Sequence, residues 1–205
     1  SGALNAILRN AVLKIETRKF PDLPIDDIER ISYLHSLPSW LVHEMVNWFG
    51  LEKTENIAKS FNKKPVIDLR VNLLKVDINI FLQELNKDNI NAELIKELIS
   101  GVELKSKTRS VKNLPGYYEG KWVIQDRSSQ WVAPLLNPKK GDKILDACAA
   151  PGTKTTHLAE LTNDEAEIWA VDRSEIRLKM LRENLKRLDI KSVKILKADS
   201  RILVH

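Results

Sequence analysis

The sequence predicts an α/β chain whose carboxyl-terminal part is the first half of a parallel, doubly wound sheet. A helical segment and a small α+β unit precede it. Three observations carry this. From Lys143 onward, short apolar runs alternate strictly with helical periodicity, as strand 143–147, helix 153–161, strand 167–171, helix 174–188 and strand 193–197. The first strand passes through a loop of small residues, Ala147, Ala149, Ala150 and Gly152, into the first helix. Upstream, the period changes once from helical to two-residue alternation, over Ile67, Leu69, Val71 and Leu73. Domain limits are expected at 1–62, 63–120 and 121–205.

Taken in order, Leu4, Ile7, Leu8, Val12 and Ile15 form one helical stripe, ended by Pro21 and Pro24. It starts with no capping residue, like the tail of a longer helical domain. Residues 26–35 form a further turn or two. Ser39 is the expected N-cap of a helix running to Phe49 and closed by Gly50. Its apolar face is Leu41, Met45, Trp48 and Phe49, leaving His43 on the surface without a metal-spaced partner. Glu52 to Phe61 completes a helical hairpin. A half-buried strand follows, and Asp77 caps a helix carrying Ile78, Phe81, Leu82 and Leu85. Residues 91–104 read as short helix or loop, broken by Gly101.

Between Glu103 and Glu119 there is no acidic residue, while Lys105, Lys107, Arg109 and Lys112 alternate with Ser and Thr, and Tyr117, Tyr118 and Trp122 follow. Cations with nearby aromatics suit RNA. A solvated strand edge with aromatics in the core fits the same composition. Gln125 to Gln130 opens a helix stopped by Pro138, with Ser128 or Ser129 as its cap. The last helix is expected to turn Ile176, Met180, Leu181, Leu185 and Leu188 inward. Arg173, Arg177, Lys179, Arg182, Lys186 and Arg187 then form a solvated basic face.

Composition bounds the rest. The 205 residues are 43% hydrophobic and 30% charged, an ordinary globular mix, with a formal charge of +5 that favours an acidic partner. One cysteine, Cys148, excludes an internal disulfide framework and a cysteine-rich metal site. No run approaches the ~20 apolar residues of a membrane span. The expectation is a cytoplasmic protein with neither membrane nor metal as partner.

Asp146, Asp172 and Asp199 stand at the carboxyl ends of the three strands, which line the ligand crevice of such a sheet. Asp172 is placed to accept ribose hydroxyls, and Asp199 to reach the adenine edge. The dinucleotide fingerprint G-x-G-x-x-G is missing, and Gly152-Thr153-Lys154-Thr155 does not complete G-x-x-x-x-G-K-[ST], which disfavours NAD and ATP.

The stretch Asp-Ala-Cys-Ala-Ala-Pro-Gly-Thr-Lys-Thr-Thr-His-Leu-Ala-Glu, residues 146–160, resembles the cofactor motif of the Sun/RsmB family of RNA 5-methylcytosine methyltransferases. Gln125–Gln130, the Arg177–Leu188 helix and Ser36-Leu37-Pro38-Ser39-Trp40-Leu41 are also similar to that family, the last most to its bacterial 16S ribosomal RNA enzymes. The resemblance implies a Rossmann-like sheet that binds S-adenosyl-L-methionine. Cys148, Ala149, Ala150, Pro151, Gly152, Thr153 and Lys154 would cradle its methionine part. Asp172 and Arg177 would lie at the ribose and Asp199 at the adenine. Thr153 replaces the family's usual second glycine. Lys105, Lys107, Arg109, Lys112 and Arg127 are the candidate contacts to small-subunit ribosomal RNA.

In the family, the C5 chemistry uses cysteines from later motifs, expected beyond His205. Cys148 is therefore expected to be a packed wall of the cofactor site. The chain reads as an internal fragment, inactive by itself, with an unpaired sheet edge along strand 143–147. A reading of a different class is a non-catalytic RNA-binding module with a vestigial nucleoside pocket. A P-loop-like NTPase is the third.

Overall fold

The computed structural model describes residues 2–16, 22–106 and 111–202. The Pro21 linker residue, Lys107 and Arg109 lie outside the described residues. Two compact units are present, Ser1–Pro65 and Val66–His205.

In the first unit, α1 (Gly2–Glu16) keeps its apolar stripe exposed, with Leu8 54% and Val12 52% accessible. α2 (Asp27–His35) begins at Asp26, whose Oδ1 accepts the Glu29 amide at 2.9 Å. It packs with α3 (Ser39–Phe49) and α4 (Leu51–Phe61) around Ile31, Val42 and Ala58. Two expectations are corrected. Pro38, already extended, is the cap of α3, and Ser39 is its first helical residue. Because α2 and α4 meet α3 on the Val42–Met45 line, the buried stripe is rotated, leaving Trp48 65% exposed. His43 is exposed, its Nδ1 3.2 Å from Asn47 Nδ2.

The second unit opens with β1 (Ile67–Val71), α5 (Ile78–Lys87), β2 (Ala92–Leu94), β3 (Gly101–Leu104) and β4 (Trp122–Ile124). The four strands form an antiparallel sheet in the order β2-β3-β1-β4, with Leu69 opposite both Val102 and Ile124. Asp77 caps α5 through Oδ1, accepting the Asn79 amide at 2.8 Å. Phe81 and Leu85 of α5 pack on Leu69, Val71, Val102 and Trp122, all with no accessible surface. Each such side chain contributes about 2 kcal/mol or more of transfer free energy. Residues 91–104, read as helix or loop, are instead a strand pair with Leu94 opposite Val102. The turn at 95–98 folds over Gly101, where a Cβ would stand 2.8 Å from that of Leu98. β4 belongs to this sheet, so the small α+β part runs past the expected limit at residue 120.

β1 was expected to be half-buried. It is buried on both faces, because Asp68, Arg70 and Asn72 are at most 3% exposed on the side turned away from α5. Of the aromatics expected to stack on RNA or fill the core, Trp122 is core and donates Nε1 to the Pro115 carbonyl at 2.7 Å. Tyr117 packs against it, with ring centroids 5.4 Å apart. Tyr118 is 75% exposed.

α6 (Arg127–Gln130) and α7 (Val132–Leu136) follow, and Asp126, not Ser128 or Ser129, caps α6 by accepting the Ser128 amide at 2.9 Å. Then come β5 (Lys143–Asp146), α8 (Thr153–Leu161), β6 (Glu167–Asp172), α9 (Glu175–Leu188) and β7 (Val193–Lys197). The three strands are parallel in the order β5-β6-β7, with Leu145 opposite Trp169 and Ala170 opposite Ile195. β5 and β7 are both outer strands among the described residues. α9 buries Leu178, Leu181, Leu185 and Leu188 on a helical stripe. Ile176 and Met180, expected inside, are 82% and 50% exposed. Arg187, expected on the solvated face, lies with its guanidinium carbon 4.2 Å from the Tyr117 ring centroid. It donates Nη1 to the Tyr117 and Trp122 carbonyls.

Candidate functional site

The site grows from the loop between β5 and α8. Asp146, at the end of β5, accepts the Thr155 hydroxyl at 2.7 Å, bracing the two ends of the loop. The Ala149 amide donates to the Val171 carbonyl at 2.9 Å, which holds the loop across the end of β6. Ala149 and Ala150 are 5% and 8% exposed. Gly152 has φ +101°, and a Cβ on it would collide with Cδ1 of Leu181. Asn184 Nδ2 donates to the Pro151 carbonyl at 3.0 Å, and the Ala150–Pro151 peptide is cis. Thr153, where the resemblance led us to expect a second glycine, is the first residue of α8.

Asp172 ends β6 with its side chain 2% exposed. Oδ1 accepts the Ser174 amide at 2.9 Å, and Arg177 Nη2 donates to both carboxylate oxygens at 2.9 Å. Burial alone pushes this carboxyl up. The Ser174 amide, the Arg177 guanidinium and the Ala150 amide together outweigh that and hold it below the ordinary range. Asp199, after β7, is chelated by Arg201 through Nε at 3.0 Å and Nη2 at 2.5 Å, which lowers its carboxyl as well. Both groups are therefore anions at neutral pH.

Cys148, Asp172, Arg177 and Asp199 line one cavity of about 320 Å³, together with Ala147, Arg173, Ala198, Ser200 and Arg201. Cys148, expected to be packed, is exposed to this cavity. Ala149, Ala150 and Gly152, in the same loop, are buried and do not line this cavity. Lys154 is not brought to this cavity. It lines a separate apolar one of about 390 Å³ with Leu135, Leu136 and Leu145. Thr155 and Thr156 occupy the buried side of α8, so Lys154, about 100° round the helix, faces elsewhere.

Of the basic residues noted for RNA, Arg127 is engaged by Asp68 at 2.8 Å and Glu103 at 2.9 Å. Those two carboxylates raise the guanidinium's already high pKa further. Lys105 bridges Glu103 at 2.7 Å and Glu93 at 3.3 Å. Lys112 is exposed.

Sequence reasoning missed Arg173, Ser200 and Arg201, which the loops after β6 and β7 bring to the cavity. It also missed Arg70 and Glu160, buried behind it. The available sign was α8 itself, where Thr155, Thr156 and His157 interrupt any apolar stripe. A helix buried with polar residues implies a polar partner. Among the described residues no cluster of metal-ligating side chains occurs, and no helix is long and apolar enough to cross a membrane.

Comparison with known proteins adds to this geometry. A family model described as "16S rRNA methyltransferase RsmB/F" matches residues 133–204, and one described as "Methyltr_RsmF/B-like, ferredoxin-like domain" matches residues 37–111. The chain is 41% identical over 175 residues to the probable ribosomal RNA small subunit methyltransferase B of Synechocystis sp., covering 84% of this chain and 39% of that protein. It is 36% identical over 201 residues to the ribosomal RNA small subunit methyltransferase B of Vibrio vulnificus, covering 98% and 45%. A solved methyltransferase homologue from Pyrococcus horikoshii superimposes with a TM-score of 0.78 at 28% identity, over 87% of this chain and 58% of that one. The chain thus spans less than half the length of these curated relatives. The antiparallel sheet is the ferredoxin-like part, the parallel sheet is part of a Rossmann-like methyltransferase sheet, and the chain belongs to the Sun/RsmB family of methyltransferases.

Proposed function

We propose that this chain carries the S-adenosylmethionine site, and part of the RNA-holding surface, of an enzyme that methylates C5 of a cytosine in small-subunit ribosomal RNA. The observation that supports this most is Asp172, a buried carboxylate anchored by backbone amides and Arg177 at the end of β6, facing a cavity it shares with Asp199.

The residues fit the cofactor. The cavity of about 320 Å³ is within the range of small-molecule clefts. Two anions suit a nucleoside with ribose hydroxyls and an exocyclic amine to donate. Asp172 accepts the ribose hydroxyls and Arg177 keeps that carboxylate ionised and oriented. Asp199 lies toward the adenine, and Ala147 and Cys148 form the wall at the methionine end. When bound, the cofactor supplies an electrophilic methyl group. The base must leave its stack to reach this crevice.

Lys107, Arg109 and Lys112 are our proposed contacts to the RNA backbone, while Lys105 is engaged by Glu103 and Glu93. Arg127, counted with them from sequence, we assign to the scaffold because Asp68 and Glu103 occupy it. We divide the chain at residues 62 and 124. Cys148 is not our candidate nucleophile, and we propose that the 205 residues bind cofactor without turnover. The reducing setting implied by a single thiol points to the cytoplasm.

A calorimetric titration with S-adenosylmethionine tests the reading. Saturable binding that Asp172→Ala abolishes supports it. RNA binding by a chain that ignores S-adenosylmethionine overturns it in favour of a non-catalytic RNA-binding module.

A further inference from the structure

Arg70 sits on β1 of the ferredoxin-like sheet with no accessible surface, facing α8 of the methyltransferase half. All five of its N–H groups are used. Nε donates to Glu160 Oε2 at 2.9 Å, and Nη2 to Glu160 Oε1 at 2.8 Å and the Thr156 hydroxyl at 2.9 Å. Nη1 donates to the Gln125 side-chain oxygen and to the backbone carbonyl of Thr153 at 2.6 Å. A guanidinium presents five donors in one plane, so a fully matched set fixes its partners in two directions at once. Thr153 is the first residue of α8 and directly follows Gly152, the end of the loop behind the proposed cofactor cavity. Glu160 is about two turns further on, and its side chain is only 5% exposed. Arg70 thus grips α8 at its first turn and near its last.

We propose that Arg70 is a positioning residue, by which the ferredoxin-like sheet sets the place of the cofactor loop 148–153 through the Thr153 carbonyl and the Glu160 carboxylate. The proposal rests on the cofactor reading for its binding readout, though not for its structural one. Asp146 braces the loop at one end, the Val171 carbonyl holds Ala149, Asp172 takes the Ala150 amide, Asn184 holds the Pro151 carbonyl, and Arg70 supplies the hold at its far end. A lysine keeps the charge of Arg70 but cannot fork to both groups.

The pair also predicts a specific pH signature. Burial pushes the Glu160 carboxyl up, and Arg70 opposes this. His157, also packed beside Arg70, stays neutral, and Arg187 is a further cation acting on Glu160. With Arg70 replaced by methionine, Glu160 loses its two charge-assisted bonds, and burial then pushes its carboxyl further up. Raising the pH then forces a charge into a dry site and displaces α8.

The test uses the 205-residue chain and its variants Arg70→Met, Arg70→Lys and the charge-free Arg70→Met/Glu160→Gln. S-adenosylmethionine affinity is measured from pH 6 to 9, and amide hydrogen exchange of residues 148–156 is measured without ligand. The expected result is about tenfold weaker binding for Arg70→Met at pH 7.5, worsening as pH rises, and partial rescue by Arg70→Lys. The double variant, which removes the titrating group, shows no pH trend. Exchange at 148–156 quickens in Arg70→Met while that of β2 and β3 stays as it was. Unchanged exchange at 148–156 in a folded Arg70→Met overturns the positioning role. So does a pH trend that persists in the double variant. Failure of the unsubstituted chain to bind S-adenosylmethionine sinks the cofactor reading alone, and the exchange arm still decides for or against Arg70.

Discussion

The backbone carbonyl of Arg187 occupies the space a Cβ on Gly120 would need, with the carbonyl carbon and Leu188 Cα both 3.0 Å from that position. Gly120 also has φ +71°, where L side chains are strained. The turn before β4 therefore meets the end of α9 backbone to backbone, and neither can yield as a side chain could. Gly120→Ala is expected to cost about 2 kcal/mol or more, from strain and overpacking together. Gly141→Ala is the control, since Gly141 has φ +81° with nothing within 4 Å. Urea denaturation midpoints compare the two, and equal losses would disprove a tight contact at Gly120.

His157 gives an acid-side prediction. It is 4% exposed, and its Nδ1 has no hydrogen-bond partner. Burial, aided by the nearby Arg70 charge, lowers its pKa to about 3. The folded value lies below the unfolded one near 6.5, so the unfolded chain binds the extra proton first. Stability is full above pH ~6.5 and falls by up to about 1.4 kcal/mol per pH unit as pH drops toward the folded value. His157→Leu is expected to flatten this part of the stability curve between pH 6.5 and 4. A slope that survives the substitution would assign the loss to other groups.

How far these features were legible in the sequence depends on what each residue faces. The strands and helices from Lys143 onward were readable because each crossover buries one continuous stripe, and three acids at strand ends marked the crevice. β1 was misread because period-two alternation implies one wet face. Asp68, Arg70 and Asn72 look like that face, yet Asp68 meets Arg127 of α6, Arg70 meets the polar side of α8, and Asn72 meets the Gly120 carbonyl. Nothing local separates an arginine that faces water from one with five buried acceptors. Ile176 and Met180 were misplaced for a similar reason. They are apolar residues on α9 beside the Leu178–Leu188 stripe, and only packing decides which stripe is inside. Residues 92–104 carried too short a pattern to show two strands that exist by pairing with each other and β1.

Asp172 and Arg177 predict a pH window for ligand binding. The folded carboxyl lies below its ordinary range, so its contribution to stability is present above the unfolded carboxylate value of about 3.9 and is lost as pH falls through the lower, folded one. Affinity for S-adenosylmethionine is therefore expected to stay flat from pH 8 to 5. Arg177→Met removes one restraint on the carboxylate, raises its pKa and moves the acid limb upward. It leaves the Ser174 amide contact in place. Titrations at pH 7 and pH 5 check this, and identical acid limbs for the two proteins would contradict it.

Cys148 offers the most direct report on the cavity, because it is the chain's one thiol and it lines the wall with Asp172 and Asp199. Its exposure makes it accessible to an alkylating reagent in the ligand-free protein. A cofactor seated between the loop and Asp172 covers that wall. Saturating S-adenosylmethionine is expected to slow alkylation by about tenfold or more, in proportion to occupancy. Asp172→Ala, which loses the ligand, should alkylate at the same rate with or without it. Mass spectrometry of the modified chain reads both rates from a single site. Protection that persists in Asp172→Ala would place the ligand elsewhere, and absence of protection at saturation would remove Cys148 from the wall.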